Sequence, residues 1–115
     1  MDEAKRDLGI IKHILAYCIE IEETVDRFGN TLETFSTDRI YRNAATMCIL
    51  QIGELAGHLS ETFKAAHPTV PWRSIKAMRN VAAHEYGSIS IPDVWDTITN
   101  DIPKLKAYCQ KVLAD

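Results

Sequence analysis

The sequence predicts an all-α protein, an up-and-down bundle of four main helices. Three observations carry this. Apolar residues recur at alternating steps of three and four, the period of a helix face. No stretch alternates apolar and polar residues long enough to read as a strand. Glycine, proline and N-capping residues punctuate the chain where one apolar stripe ends and the next begins.

In the first helix Ile11, Ile14, Cys18, Ile21, Val25 and Phe28 follow steps of 3, 4, 3, 4 and 3. Leu15 and Ile19 widen that stripe, which implies more than one packing neighbour. The helix ends at Phe28-Gly29-Asn30, where Gly29 or Asn30 can take the left-handed cap conformation. A second helix begins near residues 36–38, all three suited to N-capping. It runs on through Phe63, with Cys48, Ile52, Leu55, Leu59 and Phe63 on its apolar face. Gly53 and Gly57 lie one turn apart inside it. Each costs roughly 1 kcal/mol relative to alanine, so the expected return is close approach by another helix backbone.

The run HPTVP (67–71) breaks the pattern, and Pro71 suits the first turn of a third helix, PWRSIKAMRNVAAHEY, which stops at Gly87. A fourth begins near residues 90–92 and carries Val94, Trp95, Ile98, Ile102, Leu105, Cys109 and Val112. Pro103 falls inside it and should kink it, because its ring clashes with the carbonyl four residues earlier. Stripes this broad on a small protein leave apolar surface that a homodimer could cover.

Length and composition bound the rest. The chain has 115 residues, enough for one domain spanning 1–115 and too few for two cores. Hydrophobic residues make up 46% and charged residues 25%, an ordinary globular mixture. No apolar run approaches the roughly 18 residues of a membrane helix. The start, MDEAKRDLG, is charged from its second residue and reads as neither a signal nor a transit peptide. Cys18, Cys48 and Cys109 form no CxxC pair and read as small buried hydrophobes in a reducing compartment. A cytoplasmic location is the expectation. Within a net charge of −3, residues 64–84 carry four basic residues and no acid, leaving −7 for the remainder. A positive patch on an acidic body suggests a confined anion site, although it is also what chance clustering on a solvated helix face would look like.

The stretch RNVAAHEY (79–86) concentrates the chemistry. On a helix Asn80 and His84 are i and i+4 and share a face. Arg79 and His84 are five apart, about 140° around the axis at 3.6 residues per turn. Either the last turn unwinds before Gly87, or two copies of the helix meet and share a pocket. His84 can act as general acid or base near neutrality. Arg79 is permanently charged, with a planar fork matched to phosphate. Together they suit cleavage of RNA phosphodiesters without a metal: one helps remove the ribose 2′-OH proton, the other stabilises charge building on phosphorus. Asn80 could orient the histidine or bind a phosphate oxygen, and Tyr86 could position RNA or carry a modification. The spacing alone is also compatible with a histidine that merely favours a helix C-terminus.

The motif in its context, Arg79-x4-His84-x-Tyr86 after VPWRSIKAM, resembles the HepT-like toxin family of the HEPN superfamily. IGELAGHLS (52–60) resembles that family's second-helix signature, VPWRSI (70–75) its third-helix entry, and VWDTITNDIPKL (94–105) its fourth helix with the internal proline. The blocks occur in the family's order over roughly residues 5–113. The resemblance implies a homodimeric HEPN-like bundle and a metal-independent endoribonuclease without cofactor. It also implies the toxin role in a type VII-like toxin–antitoxin pair, whose antitoxin is a minimal nucleotidyltransferase that can transfer AMP to the motif tyrosine. Arg79 and His84 would then be catalytic, Asn80 supporting and Tyr86 the AMP acceptor. Arg73 and Lys76 become possible RNA phosphate contacts. The competing reading is a non-catalytic helical nucleotide-binding or scaffold partner of such a nucleotidyltransferase.

Other residues receive plainer readings. His13, His58 and His67 have no ligand spacing among themselves or with the cysteines, so a metal site is not expected. Trp72 and Trp95 read as packing anchors at helix starts. Glu54 lies beside the apolar stripe of the second helix. It is either a partly buried carboxylate paired with a base of the third helix or a solvated edge residue.

Overall fold

The computed structural model describes residues 2–84 and 91–114, with residues 81–84 described as helical backbone alone. Every regular element among them is helical. In order these are α1 (Glu3–Phe28), α2 (Leu32–Thr37), α3 (Arg39–Ala56), α4 (Glu61–Ala66), α5 (Trp72–His84), α6 (Ile91–Asp96), a π-helical turn (Thr97–Asp101) and α7 (Ile102–Ala114). The principal packing runs α7 on α1, α1 on α3 and α3 on α5. The buried apolar residues of these elements form one connected core.

The stripe expected on α1 is present in its first half, where Ile11, Ile14, Cys18 and Ile21 are buried. Val25 and Phe28 are half-buried at the far end. Ile19 departs from the expectation and stands 38% exposed; α1 meets α3 and α7 along one side, and Ile19 falls outside it. Asp7, which the apolar pattern passes over, is buried with the stripe. Gly29 does end α1 at positive φ, but at φ 124 and ψ 140 it lies outside the left-handed helical region. Its carbonyl accepts a hydrogen bond from the Tyr41 hydroxyl at 2.9 Å, which ties the end of α1 to α3.

Asp38 caps α3 as expected, its Oδ1 accepting from the amides of Ile40 at 3.0 Å and Tyr41 at 3.2 Å. The short α2 before it has no counterpart in the sequence reading. Its six residues make fewer than two turns, too few for a period to show. Phe35 of α2 packs against the rings of Tyr41 and Trp95, with centroids 5.0 and 5.3 Å away.

The second expected helix does not continue to Phe63. It stops at Ala56 with Gly57 as its cap, and Ser60 begins α4 by accepting from the Phe63 amide at 3.0 Å. The break is tied to the beginning of α1. There Asp7 accepts from the Ser60 amide at 2.9 Å and from its hydroxyl at 2.6 Å. The turn buries Leu59 and leaves Phe63 on a different helix, half-buried. Gly57 therefore caps a helix instead of lying within one.

Helix α5 begins one residue after Pro71, whose carbonyl accepts from the Ile75 amide at 3.0 Å, within the usual uncertainty of a helix boundary. The expected end at Tyr86-Gly87 lies outside the described residues. Further on, the kink expected at Pro103 takes the form of the π-helical turn immediately before it. Ile102 donates to the carbonyl of Thr97, five residues back, and one such wide turn accommodates a ring that would crowd an α-helix.

Candidate active site

Helices α3 and α5 cross at Gly53. A Cβ built there would stand 2.7 Å from the Arg79 amide nitrogen and 2.8 Å from the Arg79 Cβ. Only glycine allows the two backbones this close. The expectation that a glycine of this pair admits a neighbouring helix holds at Gly53. At Gly57 a Cβ would meet only ordinary contacts, the nearest at 3.4 Å. On the α5 side Ile75 and Met78 are buried toward the core, while Arg73, Lys76, Arg79 and Asn80 are exposed.

The adjacent Glu54 supplies the partner. Its carboxylate Oε1 pairs with the Nε of Arg79, so the expected pairing with a base of the third helix is present, but on an exposed carboxylate and not a partly buried one. The Arg79 side chain remains 54% exposed and Glu54 45%. An ion pair this open contributes little to stability, about 1 kcal/mol or less. Its consequence is geometric: the inner nitrogen of the guanidinium meets the Glu54 carboxylate, and Arg79 pairs with no second acid among the described residues. The guanidinium is the planar group that suits a phosphate, and its side chain remains open to solvent.

The pairing also revises the charge pattern. Two of the four basic residues of 64–84 meet acids contributed from outside that segment, Arg79 at Glu54 and Lys64 at Glu61. Arg73 and Lys76 keep exposed charges on α5, and the Lys76 stem lies beside Gly57. The positive character of the patch is therefore narrower than the linear sequence suggests.

Helix α5 is continuous through His84. The five residues from Arg79 to His84 thus keep their rotation of about 140° and add a rise of about 7.5 Å. No unwinding within 79–84 brings the two positions onto one side. Asn80 and His84 retain their i, i+4 relation, and Tyr86 lies outside the described residues. Among the described residues no group of three or more His, Cys, Asp and Glu side chains is arranged to hold a metal. Nor is any helix long and apolar enough to cross a membrane.

The two tryptophans act as packing anchors. Trp72 donates from Nε1 to the His67 carbonyl at 3.0 Å and contacts Phe63 and Tyr108, while Trp95 closes on Phe35 and Tyr41.

A family model described as ribonuclease HepT-like matches residues 14–112. The chain belongs to the ribonuclease HepT-like family. Among HepT-like relatives, a protein of Caldanaerobacter subterraneus subsp. tengcongensis, provisionally named an RNase, is 32% identical over 103 residues, 90% of each chain. "Probable ribonuclease HepT" of Thermococcus cleftensis is 30% identical over 88% of this chain and 94% of its own. A Methanocaldococcus jannaschii protein, also provisionally named an RNase, is 28% identical over 90% of this chain and 94% of its own. No solved structure matches the chain. Membership in the HepT-like family and these relatives suggest RNA-cleaving activity and an RNA substrate.

Proposed function

We propose that residues 1–115 act as one HEPN-like domain, a metal-independent endoribonuclease that is the toxin of a type VII-like toxin–antitoxin pair. In this reading Arg79 and His84 are the catalytic residues of a cleft between two chains. His84 takes the proton of a ribose 2′-OH as that oxygen attacks phosphorus. The 5′-oxygen leaves and receives a proton, and Arg79 stabilises the charge that builds on the phosphoryl oxygens. Glu54 holds Arg79 by its inner nitrogen so that the outer fork is presented without a search among rotamers. Asn80 supports His84 from one turn away, and Arg73 and Lys76 contact flanking phosphates. A minimal nucleotidyltransferase partner silences the enzyme by transferring AMP to Tyr86. The cytoplasm is the compartment this role requires.

The Arg79–Glu54 arrangement in a HepT-like chain carries this reading: a phosphate-matched cation paired with a carboxylate and still about half exposed, at 54%. The two-chain cleft is supported by the unbroken α5, which keeps Arg79 and His84 about 140° apart within one chain. It is supported too by α3, where Ile40 is 69% and Met47 50% exposed. These two and Glu54 are spaced by seven and so lie along one side of the helix. That apolar ridge, running toward the Arg79 site, is the surface a second copy would cover.

The test is cleavage of RNA by the wild type, Arg79→Ala and His84→Ala, with and without EDTA. Activity indifferent to EDTA and lost in both variants is expected. Mixing the two inactive variants should restore part of the activity if the cleft joins the Arg79 of one chain to the His84 of another. EDTA-sensitive cleavage or an active His84→Ala would refute the mechanism. The alternative, a non-catalytic nucleotide-binding or scaffold partner, draws on the same ion pair, because a guanidinium already neutralised by Glu54 can serve simply to join two helices. It predicts nucleotide binding without RNA turnover.

A further inference from the structure

A groove of about 410 Å³ lies between the second half of α1 and the π-helical turn that leads into α7. Its volume is within the usual range of small-molecule sites. Ile21, Val25, Ile98, Ile102 and Pro103 give it apolar walls, and none of Glu54, Arg79 and Asn80 lines it.

Pro103 makes this groove rich in hydrogen-bond acceptors. In an α-helix the carbonyl of one residue accepts from the amide four residues on. Ile102 would serve Ile98, but its amide is spent on Thr97 in the wide turn. Pro103 would serve Thr99, and proline has no N–H. The hydroxyls of the turn donate elsewhere, Thr97 to the Asp93 carbonyl at 3.2 Å and Thr99 to the Trp95 carbonyl at 3.0 Å. The carbonyls of Ile98 and Thr99 have therefore both lost their ordinary donor. A helix carbonyl lies between its own residue and the residue four further on. These two thus open onto the face made by Ile98, Thr99, Ile102 and Pro103, all of which line the groove, and Thr99 is exposed. Carbonyls left this way call for a donor.

Helix α1 adds Glu22 and Asp26 to the same groove, four residues apart and hence on one side of the helix. Lys106 occupies both oxygens of Glu22, at 2.8 and 2.9 Å. Asp26 is exposed and makes no ion pair among the described residues. No lysine, arginine or histidine is among the residues that line the groove.

We propose that the groove binds a small primary alkylamine in its ammonium form. An ammonium carries three N–H donors, and the carbonyls of Ile98 and Thr99 with the Asp26 carboxylate supply three acceptors. The alkyl chain lies along Ile21, Val25 and Ile102. A calcium ion is poorly served, because it takes about six to eight oxygens and only one open carboxylate is present. An anion finds no base to meet it. The inference stands apart from the ribonuclease reading.

The experiment is an NMR titration of the full chain with pentylamine, and with pentanol as its uncharged counterpart, in the absence of RNA. Pentylamine should give saturable shifts centred on the amides of the π-helical turn, and pentanol should bind far more weakly. Asp26→Lys, which places the chain's own ammonium in the groove, should abolish binding. Glu3→Lys makes the same change of charge at an exposed position outside the groove and should leave the affinity unchanged. Pro103→Ala restores an N–H for the Thr99 carbonyl. It should weaken binding about fivefold, the loss of one ordinary hydrogen bond, while the thermal midpoint rises. Asp26, Glu3 and Pro103 are all exposed, so each variant is expected to melt cooperatively. Pentanol binding as tightly as pentylamine, equal losses in Asp26→Lys and Glu3→Lys, or an unchanged affinity in Pro103→Ala overturns the proposal.

Discussion

Two carboxylates on the same protein, Asp7 and Glu54, show how burial divides the work of charged groups. Asp7 is 2% exposed and accepts two hydrogen bonds from Ser60, across 53 positions of sequence. Glu54 is 45% exposed and holds one nitrogen of Arg79. The first is shielded from water, so its bonds are worth keeping and it fixes the chain path where α3 gives way to α4. The second is solvated, so its energy is small and its effect is to orient. Asp7 belongs to stability and Glu54 to the proposed site.

The contrast can be broken most sharply at Asp7. Asp7→Ala should destabilise the protein by about 1.5–3 kcal/mol, the range for hydrogen bonds to a charged acceptor. Urea unfolding should show this, and any RNA cleavage per folded molecule should be unchanged. Gly53→Ala comes next, at roughly 1–3 kcal/mol for overpacking against the Arg79 backbone, offset by the better helix propensity of alanine. It should also lower cleavage, because the displaced group is Arg79 itself, and a silent Gly53→Ala would contradict the close crossing.

At Glu54 the stability change should stay within about 1 kcal/mol while kinetics respond. Glu54→Ala should lower kcat. Glu54→Gln, which keeps an acceptor for Nε, should retain kcat and lower KM as the local potential becomes more positive. Equal behaviour of the two would mean that charge, and not position, is what Glu54 supplies.

The smallest effect concerns buried groups without such a role. Burial pushes the thiols of Cys18, Cys48 and Cys109 from 9.0 up to about 12. At Cys48 a hydrogen bond donated to Glu20, at 3.3 Å, adds to this. Because the folded values lie above the unfolded one, the folded state keeps protons that the unfolded chain releases between about pH 9 and 12. Stability from these groups is complete below pH 9 and declines as pH rises through that window, beginning with about 0.4 kcal/mol per thiol at pH 9. Urea midpoints at pH 8 and above pH 9 measure it, and native thiols should resist alkylation at pH 8.

Much of this was legible beforehand. The long stripe of α1, the Asp38 cap and the glycine demanded at the crossing follow from spacing and residue type, because helical period and backbone sterics act locally. The motif residues Arg79, Asn80 and His84 were identifiable by their chemistry. What escaped were features whose cause lies far away in sequence. The break at Gly57–Ser60 is tied to a carboxylate near the beginning of α1, and α2 is too short to carry a period. Glu54 could be read either way until α5 was placed beside it. One signal was available, a carboxylate adjacent to a glycine on the edge of an apolar stripe.

By itself, then, the sequence determined an all-helical chain, the HepT-like resemblance and the set of polar residues that could do chemistry. Tertiary structure decided which of them meet. Hydrophobic period is a property of consecutive residues, whereas an ion pair such as Glu54–Arg79 requires two helices to approach as closely as Gly53 permits. The same packing lets α5 and α7 meet at Trp72 and Tyr108 while leaving a cleft of about 310 Å³ between them that no local pattern could announce.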